Sequence, residues 1–476
     1  MSHGVRVMLR GLFFSEERMQ SIGKNMTAGS PLRLILALSL PLMVANAFQQ
    51  FYTVADTAIV GRVLGLEALA ALGAVDWFNW MMLSIVQGLA QGFSVRMAQQ
   101  FGAGDGAGLR RTIGNACSLS AICAVALTAA AQLLTPFVLR VLETPPSIVD
   151  TSLAYIRIIF WGLPVVMAFN LFSAILRSVG DGRTPLLAMI FACAVNISLD
   201  LLFVASFDMG VEGAAIATVI AQGCSALICL RALWRSGLIR VGREDLRPDV
   251  RLCLRLMALG APVAVQNMVI SVGGMIVQRV VNSFDVVFVA GYTATNKLYG
   301  VLEIAATSFG YAMTVYVGQN LGVSAYGRIR RGVRAGVAAG VLTSALICAA
   351  MLLFGRSLLS GFITSQDAAE AAQALEYAMQ FLRLMSVFLP VLYILHIIRS
   401  SLQGMGDTLF PMFSGLAELA MRVGAALFLP ALLGYEAVFV GEVLAWAGAD
   451  VILLTRYLAR SRRFPAADGA CQAPSR

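Results

Sequence analysis

Residues 163–185 read LPVVMAFNLFSAILRSVGDGRTP, and residues 389–411 read LPVLYILHIIRSSLQGMGDTLFP. The Leu163-Pro164 pair, the Gly180-Asp181 turn and Pro185 recur as Leu389-Pro390, Gly406-Asp407 and Pro411, each 226 positions on, and Arg157 and Arg383 share that step. Gln99-Gln-Phe-Gly102 with Arg110-Arg111 recurs as Gln319-Asn-Leu-Gly322 with Arg330-Arg331, 220 positions on. Gly210 and Glu212 match Gly434 and Glu436, 224 positions on. Near-constant steps between so many special residues mark an internal duplication.

What is duplicated is apolar. Hydrophobic residues make up 59% of the 476 positions and charged residues 13%, against about 25% charge in soluble domains. A soluble core stops growing near about 250–300 residues and could not use that much apolar surface. Runs of about 20 apolar residues read as membrane-crossing helices. They fall near 34–58, 68–95, 112–136, 149–174, 185–206, 212–233, 256–280, 286–316, 334–355, 377–400, 409–431 and 435–457. Six spans per half, an even number, send both halves into the bilayer in the same direction, so the repeat is parallel with its pseudo-twofold axis along the membrane normal. The predicted fold is an all-α integral membrane protein of twelve transmembrane helices in two six-helix lobes. The chain then divides into a polar tail (1–25), an N-terminal lobe (26–233), a basic linker (234–255), a C-terminal lobe (256–460) and a second tail (461–476). Residues 1–25 show no cleavable signal pattern, because the first apolar run begins late, near Leu34, and is too long; Met26 reads as an alternative start.

The net charge of +9 is spread between apolar runs rather than gathered in one domain, which argues against nucleic acid. With the N-terminus inside, cytoplasmic segments hold 27 of the 35 Lys and Arg residues, including Arg399, and outside loops hold four. The excess of basic residues on one side predicts cytoplasmic termini in an inner, cytoplasmic membrane. Six of the cysteines lie inside apolar runs with no CxxC spacing, as buried free thiols do. Histidine is limited to His3 and His396, leaving nothing to build a metalloenzyme or a catalytic triad. Gly102-Ala-Gly104-Asp105 lacks the Lys-Ser/Thr of a phosphate loop and reads as a helix-ending turn, so ATP is not expected as a partner.

An ionisable group at bilayer depth is costly, so each one within a span is a candidate for function. In the first span Asn46, Gln49, Thr53 and Asp56 are spaced 3, 4 and 3 apart and share one helical face. Pro41 precedes them and is expected to kink the helix. The alternative is that Asp56 sits at the outer helix end and meets water. In the fifth span Met189, Cys193, Asn196 and Asp200 share a face, with the amide and the carboxylate one turn apart. Two buried carboxylates with oxygen donors between them suit a proton or Na+. Glu418 and Arg422 read as a structural i,i+4 pair, and Arg157 and Arg383 as snorkelling side chains. His396, the lone histidine in a span, reads as a packing residue. Lys297 and Glu303 in span eight, and Asp76 beside Trp77 and Trp80 in span two, fit a cleft or a structural role equally.

Pro41-Leu-Met-Val-Ala-Asn-Ala-Phe-Gln-Gln-Phe-Tyr-Thr-Val-Ala-Asp56-Thr-Ala-Ile-Val-Gly61-Arg, then Leu69-Ala-Ala-Leu-Gly73, and Gly318-Gln-Asn-Leu-Gly322 with Arg330-Arg331, resemble the MATE (multidrug and toxic compound extrusion) transporters of the MOP superfamily. The resemblance covers roughly 26–460. It implies a two-lobed antiporter exporting small organic, often cationic, compounds in exchange for H+ or Na+, with no further cofactor and as a monomer. The chain looks closer to the DinF-like branch, since 256–280 and 377–400 contain no Asp or Glu. By the same resemblance Asp56, Asn196, Asp200 and Thr218 match that branch's first-lobe cation site, with Ala214 as a backbone-oxygen position, and Gln49, Asn170 and Met189 match its drug cavity. Ala214 and Thr218 enter on the resemblance alone. Two rivals remain: a lipid-linked precursor flippase of the same superfamily, which would want a larger and more basic cavity, and a membrane-embedded transferase, which would want clustered Asp or His at one membrane face.

Overall fold

A computed structural model describes residues 24–142, 144–238, 248–363 and 368–465. The expected tail at 1–25 lies almost wholly outside these residues, as do 239–247 of the linker and the C-terminal tail beyond 465. Among the described residues the chain is helical and carries no strand. The helices are α1 (Pro31–Val63), α2 (Leu66–Gly102), α3 (Gly106–Val141), α4 (Pro146–Trp161), α5 (Leu163–Ser178), α6 (Arg183–Asp200), α7 (Gly210–Ser236), α8 (Val250–Val281), α9 (Val286–Gly322), α10 (Tyr326–Ser360), α11 (Ala368–Gly404), α12 (Leu409–Phe428), the short α13 (Pro430–Leu433) and α14 (Glu436–Arg462).

Each of the twelve expected spans falls on helix. Among the described residues ten helices are long and apolar enough to cross a membrane alone, and α4 with α5 forms an eleventh span bent by 44°. The bend lies at Gly162, just before Leu163-Pro164: Pro164 cannot donate its backbone hydrogen bond, and Gly162 already accepts from the N–H of Val165 and Val166. Helix α12, 20 residues whose apolar character is interrupted by Glu418 and Arg422, coincides with the remaining expected span. Most helices extend beyond the apolar windows. Arg328, Arg330, Arg331 and Arg334, at the cytoplasmic edge of the span expected at 334–355, occupy the first turns of α10. Pro41 lies within a helix that stays continuous from Pro31 to Val63.

The helices gather into two compact units that cut across the chain order. The first joins the chain up to Gly29 with Leu40–Ala264 and Gly318–Ser324; the second joins Ser30–Ser39 with Val265–Val317 and the chain from Ala325 onward. Helix α1 changes unit beside Pro41 and α8 beside Pro262, the two proline-bearing helices that open each half of the repeat.

Within the first unit, small residues let backbones touch, the usual basis of helix association in lipid. A Cβ on Gly92 would stand 2.3 Å from the Gly260 Cα. The duplicated Gln-x-x-Gly motifs pack on each other: a Cβ on Gly102 would stand 2.0 Å from the Gln319 carbonyl oxygen, and one on Gly322 would stand 2.1 Å from that of Gln99. Around this seam Met26 is fully buried, its N–H donating to Gln319 Oε1 at 2.8 Å, while Gln319 Nε2 donates to the Ser178 carbonyl at 2.9 Å. The turn after α2 has Gly104 at φ +72°, and the Asp105 carboxylate accepts from the Gly108 N–H at 2.8 Å to open α3. This is the helix-ending turn expected of Gly102-Ala-Gly104-Asp105.

The second unit packs α10 on α11 through Gly340 and Gly355, which face Ile397 and Leu382, and on α9 through Gly332, which faces Tyr316. An aromatic cluster about Phe288, with Tyr377, Tyr435 and Phe439, ties α9, α11 and α14 together. Asp407, the counterpart of Asp181 in the repeat, accepts from Arg456 Nε at 2.7 Å and Arg460 Nη1 at 2.9 Å.

Candidate functional site: a buried carboxylate pair in the first unit

Helices α6 and α7 face each other through two stripes with one-turn spacing. Asn196 and Asp200 project from α6, and Ala214, Thr218 and Gln222, four apart on α7, project toward them. Asn196 Nδ2 donates to Thr218 Oγ1 at 3.4 Å, and Gln222 Nε2 donates to the Tyr52 hydroxyl at 3.3 Å. The second bond brings in α1, because Tyr52 lies one turn before Asp56. Asp56 and Asp200 are thereby brought within electrostatic reach of each other. Tyr155, from α4, closes the site within electrostatic reach of both.

The site is buried and holds more acceptors than donors. Asp200, Asn196 and Ala214 are fully buried, and Asp56 is 7% exposed, which excludes the reading of Asp56 as a water-facing helix end. Among the described residues no group donates a hydrogen bond to Asp200 Oδ1 or Oδ2, Asp56 Oδ1 or Asn196 Oδ1, and no salt bridge involves either aspartate. Buried polar atoms are normally satisfied, and a buried charge normally has a partner. These four buried oxygens leave acceptor capacity and negative charge that the described residues do not balance. The chain after Asp200 continues as a π-helical turn, Leu201–Ser206, a wider winding often found at functional sites. Apolar periodicity does not announce it.

The other sequence candidates divide. Met189 is buried on the α6 face below Asn196; Asn46, Gln49 and Asn170 are half-buried, with Asn170 Nδ2 donating to the Val166 carbonyl at 2.9 Å. Lys297 is exposed. Glu303 Oε1 lies 3.4 Å from His396 Nε2, so His396 is a polar partner of Glu303 rather than a packing residue alone. Glu418 does pair with Arg422 at 3.2 Å, but within a larger network: Arg399 Nη2 to Glu418 Oε2 at 2.7 Å and Arg422 Nη2 to Glu442 Oε2 at 2.9 Å. Arg399, assigned to a cytoplasmic segment from its position near the end of span ten, is buried and bonded inside the protein, because its partner comes from another span. Glu442 and Asp450, absent from the sequence candidates, are ionisable residues inside span twelve, and the cost of charge at bilayer depth marks both. Tyr52, Tyr155 and Gln222 carry no such signal.

Comparison with known proteins places this geometry. One family model, MatE, matches residues 41–202 and again 262–424, one copy in each half. The chain belongs to the MatE family. The probable multidrug resistance protein YpnP of Bacillus subtilis (strain 168) is 29% identical over 385 residues, covering 81% of this chain and 85% of that protein. The FAD transporter of Shewanella oneidensis (strain ATCC 700550 / JCM 31522 / CIP 106686 / LMG 19005 / NCIMB 14063 / MR-1) is 24% identical, covering 71% and 76%. The fold matches the outward-facing structure of a multidrug resistance MATE family transporter of the MOP superfamily, with a TM-score of 0.86 at 22% identity over 93% of this chain and 98% of that one. It matches equally a MOP superfamily transporter from Pyrococcus furiosus, with a TM-score of 0.85 at 22% identity over 92% and 97%. This MatE protein is thus a two-lobed membrane transporter, with the two copies of the family unit set by the duplication.

Proposed function

We propose that this MatE transporter exports small organic, often cationic, compounds across the cytoplasmic membrane in exchange for H+ or Na+, with Asp56 and Asp200 carrying the coupling ion. The observation that carries the reading is the buried pair of carboxylates with no basic partner. Two negative charges side by side in a low-dielectric interior repel strongly, and an added monovalent cation removes most of that cost. The Asn196 amide oxygen, the Thr218 hydroxyl and the Ala214 carbonyl complete an all-oxygen shell of the kind hard cations prefer. Asn46, Gln49, Asn170 and Met189 are the candidates for contact with the organic substrate. The names of the relatives favour multidrug export, and the bias of Lys and Arg toward one side favours cytoplasmic termini in an inner membrane.

Ion and substrate bound in the same lobe weaken each other's binding, and by linkage the effect is reciprocal. That antagonism is what exchange requires: the entering ion expels the substrate, and the next substrate expels the ion. The test is export of a cationic dye from proteoliposomes under a pH gradient and a Na+ gradient imposed separately, with the parent protein and with Asp56→Asn and Asp200→Asn. One gradient should drive export by the parent and neither should drive it in the variants. Undiminished export by either variant would remove the ion site, and a parent indifferent to both gradients would remove antiport.

A further inference from the structure

The duplication carries the Asn196–Thr218 contact into the C-terminal half. The step of 226 that relates Pro185 to Pro411 places Asn196 on Arg422 and Asp200 on Ala426; the step of 224 that relates Gly210 to Gly434 places Thr218 on Glu442. The contacts agree with this register. Asn196 Nδ2 donates to Thr218 Oγ1 at 3.4 Å, and Arg422 Nη2 donates to Glu442 Oε2 at 2.9 Å. At the same node of the repeat one half has an amide and a hydroxyl, the other a guanidinium and a carboxylate.

The charge arrangements are complementary. The first-half site has two carboxylates and no basic group among its described partners. Its counterpart has Glu442 and Glu418 with Arg422 between them, and Arg399 holds the second oxygen of Glu418. Side-chain exposures of 11% for Arg422, 12% for Glu442 and 6% each for Glu418 and Arg399 show that these groups seal one another. The remaining charged neighbours are Asp450, within electrostatic reach of Arg399 and Glu418, and the Glu303–His396 pair.

We propose that Arg422 is a tethered cation: its guanidinium permanently fills the C-terminal counterpart of the ion site, and the pocket between Glu418 and Glu442 is a latent site for a small planar cation of the guanidinium class. The planar fork of donors matches two carboxylates better than a spherical ion does. Confinement of ion coupling to the first half then follows; this consequence alone rests on the Asp56–Asp200 reading.

The experiment uses the purified full-length protein and follows its thermal unfolding midpoint in guanidinium chloride, well below denaturing concentrations, against NaCl of equal ionic strength. Arg422→Ala should unfold below the parent and recover several degrees with guanidinium but not with Na+, as a ligand that binds only the folded state must act. The parent should not respond, and the Arg422→Ala/Glu442→Gln double variant should lose the response. Should Arg422→Ala fail to accumulate, Arg422→Ala/Glu418→Gln leaves Glu442 as the anchor and carries the same measurement. Absence of a guanidinium-specific rise, or an equal rise after Glu442→Gln, overturns the proposal. The rise should persist when Asp56→Asn is added, so failure of the first-half ion site leaves this result standing.

Discussion

Asp200→Asn should make the protein more stable and abolish its coupling. The side chain is fully buried, faces Asp56 and accepts no hydrogen bond from the described residues. At a separation of about 4 Å and an effective dielectric of about 20, two unit charges repel by about 4 kcal/mol. Asparagine has nearly the same shape, so the change removes the repulsion without leaving a cavity. Structural relaxation and water reduce the gain to about 1–4 kcal/mol, enough to raise the unfolding midpoint by several degrees. The same substitution deletes a charged ligand of the ion, worth about 1.5–3 kcal/mol, or roughly 10- to 150-fold in ion affinity. Two assays on one preparation decide the matter: thermal unfolding in detergent with and without the coupling cation, and gradient-driven dye export in liposomes. The stability difference from the parent should shrink as the parent is saturated with its cation, because the bound ion supplies the neutralisation that asparagine makes permanent. A lower midpoint together with undiminished export would refute the reasoning, since it would show Asp200 to be a structural carboxylate whose partner the variant has lost. Sites kept for function against stability commonly behave in the predicted way.

Thr218→Val removes the hydroxyl from the proposed ion shell while keeping its volume, and should weaken ion dependence by about 5- to 10-fold, the value of about 1 kcal/mol for a neutral ligand; the ion concentration giving half-maximal export measures it. Gly102→Ala places a methyl group 2.0 Å from the Gln319 carbonyl oxygen, so overpacking of about 1–3 kcal/mol or more should outweigh the gain of about 1 kcal/mol in helix propensity and lower the midpoint. A rise in midpoint would mean that the seam between the two Gln-x-x-Gly motifs is loose. Arg399→Ala strips Glu418 of its 2.7 Å partner and should cost about 3–5 kcal/mol, as broken buried pairs do. Adding Glu418→Gln should recover much of that loss, which a double-mutant cycle on the unfolding midpoints would display.

Much of the site was legible because helical periodicity is a local property. Asn196 and Asp200 share a face by spacing alone, and an apolar run containing an aspartate identifies itself. Asp56 was legible only as a choice between a buried site and a wetted helix end. Its burial depends on α4, α6 and α7, whose placement no spacing within α1 encodes. Arg399 shows the opposite error. Counted as a loop residue from its distance along the chain, it is buried because Glu418 reaches it from another helix. The polar network of Glu303, His396, Arg399, Glu418, Arg422 and Glu442 draws on four helices, so each member is legible alone as an ionisable residue in a span but its partners are not.

The amino-acid sequence by itself determined the twelve spans, the parallel duplication and the family, since a bilayer admits few backbone solutions and a repeat can be read from identity and spacing. Tertiary structure decided which of the membrane's charges are paired. Whether a buried carboxylate meets an arginine or another carboxylate depends on side chains 19 to 144 positions apart, as in Arg399–Glu418 and Asp56–Asp200. At these depths that pairing alone sets whether a charge holds the fold together or waits for an ion.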